Sequence, residues 1–287
     1  MKIRLGYQIE LSCDLPTELL ALLDPHPEFR PSVLHDSGLE HSRGINPEWH
    51  EDSFGNHCLR LSAPTGPLML KRDLILENSG QPDLWPEDAR ETPLHDLPGE
   101  VLQFLLPSRN CETDLMMETA WERFGAIQPG WGRVRAIFDH VNDHLSFSDE
   151  HARNTRTAAQ AWAGQKGVCR DFAHLAITFC RCMNIPARYV NGYLPDIGVP
   201  IDPAPMDYNA WCEVWIGDQW VTLDARHNQP RIGRIAVARG RDATDIPLLH
   251  SFGPHQLRSF SVWCDHYGGD LPLADLSTAP VGEQPRT

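Results

Sequence analysis

The hydrophobic period of the chain changes at Pro186, and that change constrains the core more than any other feature. In "GVCRDFAHLAITFCRCMNIPARYV", Gly167 to Val190, the residues Phe172, Leu175, Ala176, Phe179, Cys180 and Met183 recur at three- and four-residue steps. They form the apolar stripe of a helix, which Pro186 ends because proline cannot continue it. Beyond it the period drops to two, in "ARYVNGYL" and then in "DYNAWCEVW" and "QWVTLDA", the last two separated by "IGD" with a glycine for the turn. Upstream, Trp131, Val134, Ile137, Phe138, Val141 and Leu145 mark an amphipathic helix. Thr157 and Gln160 stand at capping-box spacing before a short helix that ends by Gly164. Helices followed by an antiparallel sheet define an α+β core.

The first residues read differently. "MKIRLGYQIELSCDL" alternates Ile3, Leu5, Tyr7, Ile9 and Leu11 with polar residues, and "HCLRLSA" and "GPLMLKRDLILEN" are further strand-like runs. "ELLALLD", residues 18 to 24, fits a helix or a buried strand equally. Residues 78–100 are rich in proline and acid and suit a surface connector. The expected organisation is an N-terminal antiparallel β domain over 1–77, a linker over 78–100, a helix-plus-antiparallel-sheet core over 101–270, and a loosely held tail over 271–287.

Composition narrows the partners. With 39 acidic against 25 basic residues the formal charge is -14, which repels nucleic acid and anionic membrane faces. The alternating N-terminus lacks the apolar run of a signal peptide, and no segment approaches the roughly 20 apolar residues of a membrane span. A cytoplasmic protein is expected. Eight cysteines without a Cys-x-x-Cys pair argue against a zinc cluster or a disulfide framework, so most are expected reduced and buried, with no cofactor and no metal. His140 and His144 lie one helical turn apart, but without a Glu-rich partner motif they read as a solvated polar face rather than metal ligands. Arg226, Arg231, Arg234, Arg239 and Arg241 either pair with the protein's own acids or clamp a substrate carboxylate.

Cys169 stands at the mouth of the third helix. There, unpaired N–H groups and the positive end of the macrodipole favour a thiolate and can receive an oxyanion. The alternative is a small apolar residue filling space. A nucleophile needs a histidine to take its proton and a carboxylate or amide to orient that histidine.

These residues resemble the transglutaminase-like superfamily, in particular its bacterial, cysteine-protease-like branch with a β domain at the N-terminus. The resemblance rests on "GVCRDFA", "IPARYVNGY", "NAWCEVW" and "WVTLDAR", in the family's order, and runs from about Met1 to Gly269. It implies a papain-like helix and sheet core in which a cysteine attacks an amide or peptide bond and passes the acyl group to water or an amine. It also implies Cys169 as nucleophile, with its own N–H in the oxyanion hole, and Asp224 as the orienting acid. The family's histidine position falls on Asn209, expected opposite Asp224 in the hairpin, and an asparagine amide cannot accept and return a proton at neutral pH. Three readings follow. His227, three residues beyond Asp224, serves as base; or the chain is a pseudoenzyme that binds a peptide; or the thiolate acts slowly without a histidine. His174, five residues along the helix from Cys169, points away. Trp211 and Trp215 either form an aromatic lip for a flat amide or fill the core. The expected partner is a peptide or protein amide.

Overall fold

Helix α4 (Cys169–Cys182) is the element around which the second half of the chain is arranged. The computed structural model describes residues 1–148, 150 and 152–269; the expected tail at 271–287 lies outside the described residues. Every residue of α4 from Asp171 to Cys182 is buried. Helices α1 (Thr113–Phe124), α2 (Trp131–His144) and α3 (Ala158–Gly164) pack against it, and so do the strands Ala187–Tyr193 and Asn209–Ile216. A helix covered all round needs more than one stripe of apolar residues. Two of the polar residues it also buries, Thr178 and Arg181, are satisfied internally. Thr178 Oγ1 donates to the His174 carbonyl at 2.7 Å. The Arg181 guanidinium donates to the Leu106, Ala187 and Arg241 carbonyls. The capping box expected at α3 is present, with the Thr157 hydroxyl accepting from Gln160 N–H.

The sheet beneath α4 is antiparallel, in the order Gln219–Leu223, Asn209–Ile216, Ala187–Tyr193, Ile235–Gly240. Its first hairpin turns on Gly217 and Asp218, both at positive φ (60° and 58°), the two-residue turn whose twist matches flanking strands. The pairs are therefore Ile216 with Gln219 and Cys212 with Leu223.

The N-terminal region builds two more antiparallel sheets. In one, Lys2–Cys13 lies between His255–His266 and Gly66–Glu77, and Ile3, Leu5, Tyr7, Ile9 and Leu11 all face inward and are buried. In the other, the ambiguous segment forms the strand Thr17–Ala21, between Leu249–Ser251 and His57–Ala63. Two strands from late in the chain thus complete sheets begun at its start, and buried residues of both halves form one continuous core. Residues 78–105 run over the core surface. Trp85 on this path packs at a tilt against Trp131 and donates to the Thr222 carbonyl.

Phe179, fully buried, packs edge-on against Phe124 and Trp162 at 5.3 and 5.5 Å between ring centres. Phe179→Ala should lower unfolding stability by about 3–5 kcal/mol, read as a shift of the denaturant midpoint at unchanged slope.

Candidate active site

Cys169 is the first residue of α4. Val168 before it is extended, and its N–H donates to the Asp171 carboxylate at 2.9 Å, bracing the first turn. Gly167 permits this closure: a Cβ there would sit 2.6 Å from that carboxylate. The Cys169 backbone N–H has no acceptor among the described residues, as helix starts dictate. The Ala210 backbone N–H donates toward the sulfur, which brings the start of the Asn209–Ile216 strand beside it.

The electrostatics differ from expectation. Seven of the eight cysteines are buried and all are free, while Cys169 alone keeps part of its surface open. Burial nevertheless pushes its thiol above the ordinary range, with the Arg226 guanidinium and the Ala210 N–H pulling the other way and Asp224 and Asp207 adding to the rise. The helix start does not leave a resting thiolate, because desolvation of the sulfur is the larger effect.

Asp224 is the best-satisfied charge of the site. It is buried, and its Oδ1 accepts the backbone N–H of Arg226 and His227. Its Oδ2 accepts from His227 Nδ1 at 2.9 Å and from Arg234 Nη2 at 3.0 Å. Burial raises its pKa, but Arg234 and His227 together outweigh this and hold it well below the usual carboxylate range. The strand ends after Leu223, so the chain turns at Asp224 and brings His227 back onto the carboxylate. In a continuing strand the two would face opposite ways.

Several expectations need correction. The Gly217–Asp218 turn shifts the hairpin by two residues. Continued outward from Cys212 and Leu223, the register sets Trp211 opposite Asp224 and Asn209 opposite Arg226. Asn209 accordingly accepts from Arg226 Nη1 at 3.4 Å. Trp211 is no lip: it is buried against Val190 and Ala236, with Arg234 over its ring at 5.0 Å. Trp215 lies at the far end of the strand, edge-on to Trp220. His174 is buried, accepts from the Ala243 N–H at 3.1 Å, and is pushed down to about 3 by burial. His140 and His144 form neither a metal site nor a solvated face. His144 stacks on Trp162 at 3.8 Å, with His140 between it and Phe124, because α3 brings Trp162 across α2. Among the described residues no group of His, Cys, Asp and Glu could hold a metal ion, and no helix is long and apolar enough to cross a membrane.

Two residues gain importance from the structure: Arg234, which fixes Asp224, and Arg226, which faces Asn209 and acts on the sulfur. Both lie in the arginine-rich stretch after Asp224, but which arginine meets which acid depends on long-range packing.

Comparison with known proteins agrees with this fold. Residues 122–225 match the family model for the transglutaminase-like superfamily. The solved structure of a candidate cysteine protease from Cytophaga hutchinsonii superposes with a TM-score of 0.79 at 27% identity, covering 95% of this chain and 92% of that one. An uncharacterized protein of Mycobacterium tuberculosis is 28% identical over 223 residues, 69% of each chain. Another, from Mycobacterium leprae, is 36% identical over 89 residues, 29% of this chain and 31% of that one. Residues 122–225 are thus similar to the transglutaminase-like superfamily, and the fold supports a thiol-enzyme family.

Asp224→Asn should destabilise the protein by about 1.5–3 kcal/mol at neutral pH, since it takes the charge from the acceptor of two backbone N–H groups and the His227 ring and leaves buried Arg234 paired with Asp83 alone among the described residues. A carboxylate held below its unfolded value contributes stability that is complete above about pH 4 and is lost as pH falls toward its folded value. Unfolding midpoints measured between pH 7 and pH 2.5 should therefore fall more steeply below pH 4 in the wild type than in the variant.

Proposed function

We propose that the protein is a transglutaminase-like thiol enzyme acting on amide or peptide bonds, with Cys169 as nucleophile and the Asp224–His227 pair taking its proton. The supporting observation is the 2.9 Å hydrogen bond between His227 Nδ1 and Asp224 Oδ2, on a turn whose Asp224 and Arg226 charges both act on the sulfur. A carboxylate that accepts from Nδ1–H fixes the tautomer, leaving Nε2 free to accept a proton.

In this reading the thiol rests protonated, and His227 removes the proton as the sulfur attacks. A carbon–sulfur bond forms and the carbonyl electron pair moves to oxygen, facing the free Cys169 N–H. Collapse breaks the carbon–nitrogen bond, and the amine leaves with the proton from His227. Water or a second amine then attacks the thioester, gives its proton to His227 and releases the sulfur, which recovers that proton. Asn209 acts as a neutral hydrogen-bonding neighbour, not as a base.

A second reading has its own support. Asn209, which the sequence resemblance sets at the family's histidine position, and the raised thiol suit a cleft that binds a peptide without cleaving it. An N-blocked glutaminyl-glycine dipeptide separates the two, through ammonia release and the mass of the acyl adduct on Cys169. The enzyme reading expects an adduct in the wild type, none in Cys169→Ala, and a rate lowered by about 100-fold or more in His227→Ala. No adduct in the wild type, with one appearing in Asn209→His, establishes the binding module instead.

A further inference from the structure

Four of the five arginines within residues 225–241 have carboxylate partners. Arg231 pairs with Asp196 at 2.9 Å, Arg234 with Asp83 and Asp224 at 2.8 and 3.0 Å, Arg239 with Glu28 and Glu213 at 2.8 and 2.9 Å, and Arg241 with Asp245 at 2.9 Å. Arg226 has none among the described residues. Its guanidinium lies 3.7 Å over the Phe147 ring, and its one hydrogen-bond acceptor is the neutral Asn209 amide at 3.4 Å. In a chain of formal charge -14, this half-buried cation keeps most of its five N–H donors open. It is also the strongest favourable charge acting on Cys169.

We infer that Arg226 anchors a carboxylate of the molecule that enters the Cys169 cleft, so that the preferred amide carries an anionic group close to the scissile bond. The inference rests on Cys169 as the reacting group. Stacking on Phe147 holds the guanidinium plane and leaves its edge for a planar anion, the geometry in which arginine outperforms lysine. Asn209 contributes by what it is not. A protonated histidine beside Arg226 would repel it, whereas the Asn209 carbonyl oxygen steadies it without neutralising it. The shared chemistry is a carboxylate, from either a free chain terminus or an acidic side chain.

Two alkylating reagents of similar size test this in the full chain. Iodoacetate and iodoacetamide each form a carbon–sulfur bond at Cys169 with loss of iodide and a proton, and only iodoacetate is anionic. The ratio of their rates should exceed that of a free thiol and fall about tenfold in Arg226→Gln, with Arg226→Lys intermediate. A ratio unchanged by Arg226→Gln overturns the inference, even if both rates drop, because Arg226 then acts on the sulfur alone. If neither reagent modifies Cys169, the nucleophile reading fails, and binding decides the anchor separately. In a Cys169→Ala background, acetyl-Gln-Gly with a free carboxylate is compared with its C-terminal amide and with acetyl-Glu-Gln-Gly-amide. Tighter binding of either acid, lost in Arg226→Gln, supports the anchor and names the source of the carboxylate. Equal binding of all three peptides overturns it.

Discussion

The buried Asp224 carboxylate is the constraint on which the rest of the site depends. Four donors converge on it: two backbone N–H groups of the turn it opens, the His227 ring and the Arg234 guanidinium. An anion in the interior is tolerable only when its acceptor sites are filled and an opposite charge is near. Filling those sites forces the chain to leave the strand after Leu223 and fold His227 back. One requirement for charge satisfaction thereby produces an imidazole of fixed orientation and carries Arg226 to the start of the neighbouring strand.

The start of α4 presents the sulfur and an N–H without an acceptor among the described residues, while the surrounding protein raises the thiol. On the proposed thiol-enzyme reading, a protonated resting sulfur calls for proton removal during attack rather than before it. That reading also separates the two histidines near the sequence motif. His174, enclosed and held neutral by burial, supports the core, and His227, partly open and bonded to Asp224, is the proposed base.

Much of this was legible in the sequence. The helical stripe closed by Pro186, the glycine before Cys169, the capping box of α3 and the period-two strands are local signals, and they specify a helix-on-sheet core directly. The register of the hairpin was not legible from the "IGD" signal alone. Placing the turn on Gly217 and Asp218 rather than on Ile216 and Gly217 moves Asn209 from opposite Asp224 to opposite Arg226. Periodicity could not tell the aromatic lip from the core at Trp211, because both faces of this sheet are covered. The His140 and His144 pair misled for a related reason: a helix face is polar or aromatic according to what crosses it, and Trp162 comes from another element. Nor does local pattern show that His255–His266 pairs with Lys2–Cys13 across most of the chain's length.

The central claim is that the His227 ring takes the proton of Cys169. Nitrogen-15 NMR of the His227 ring across pH 4–10, before and after carbamidomethylation of Cys169, measures this directly. The account predicts that blocking the sulfur shifts the His227 titration while the Nδ1 proton stays bonded to Asp224. Superimposable titrations in the free and blocked protein would contradict it.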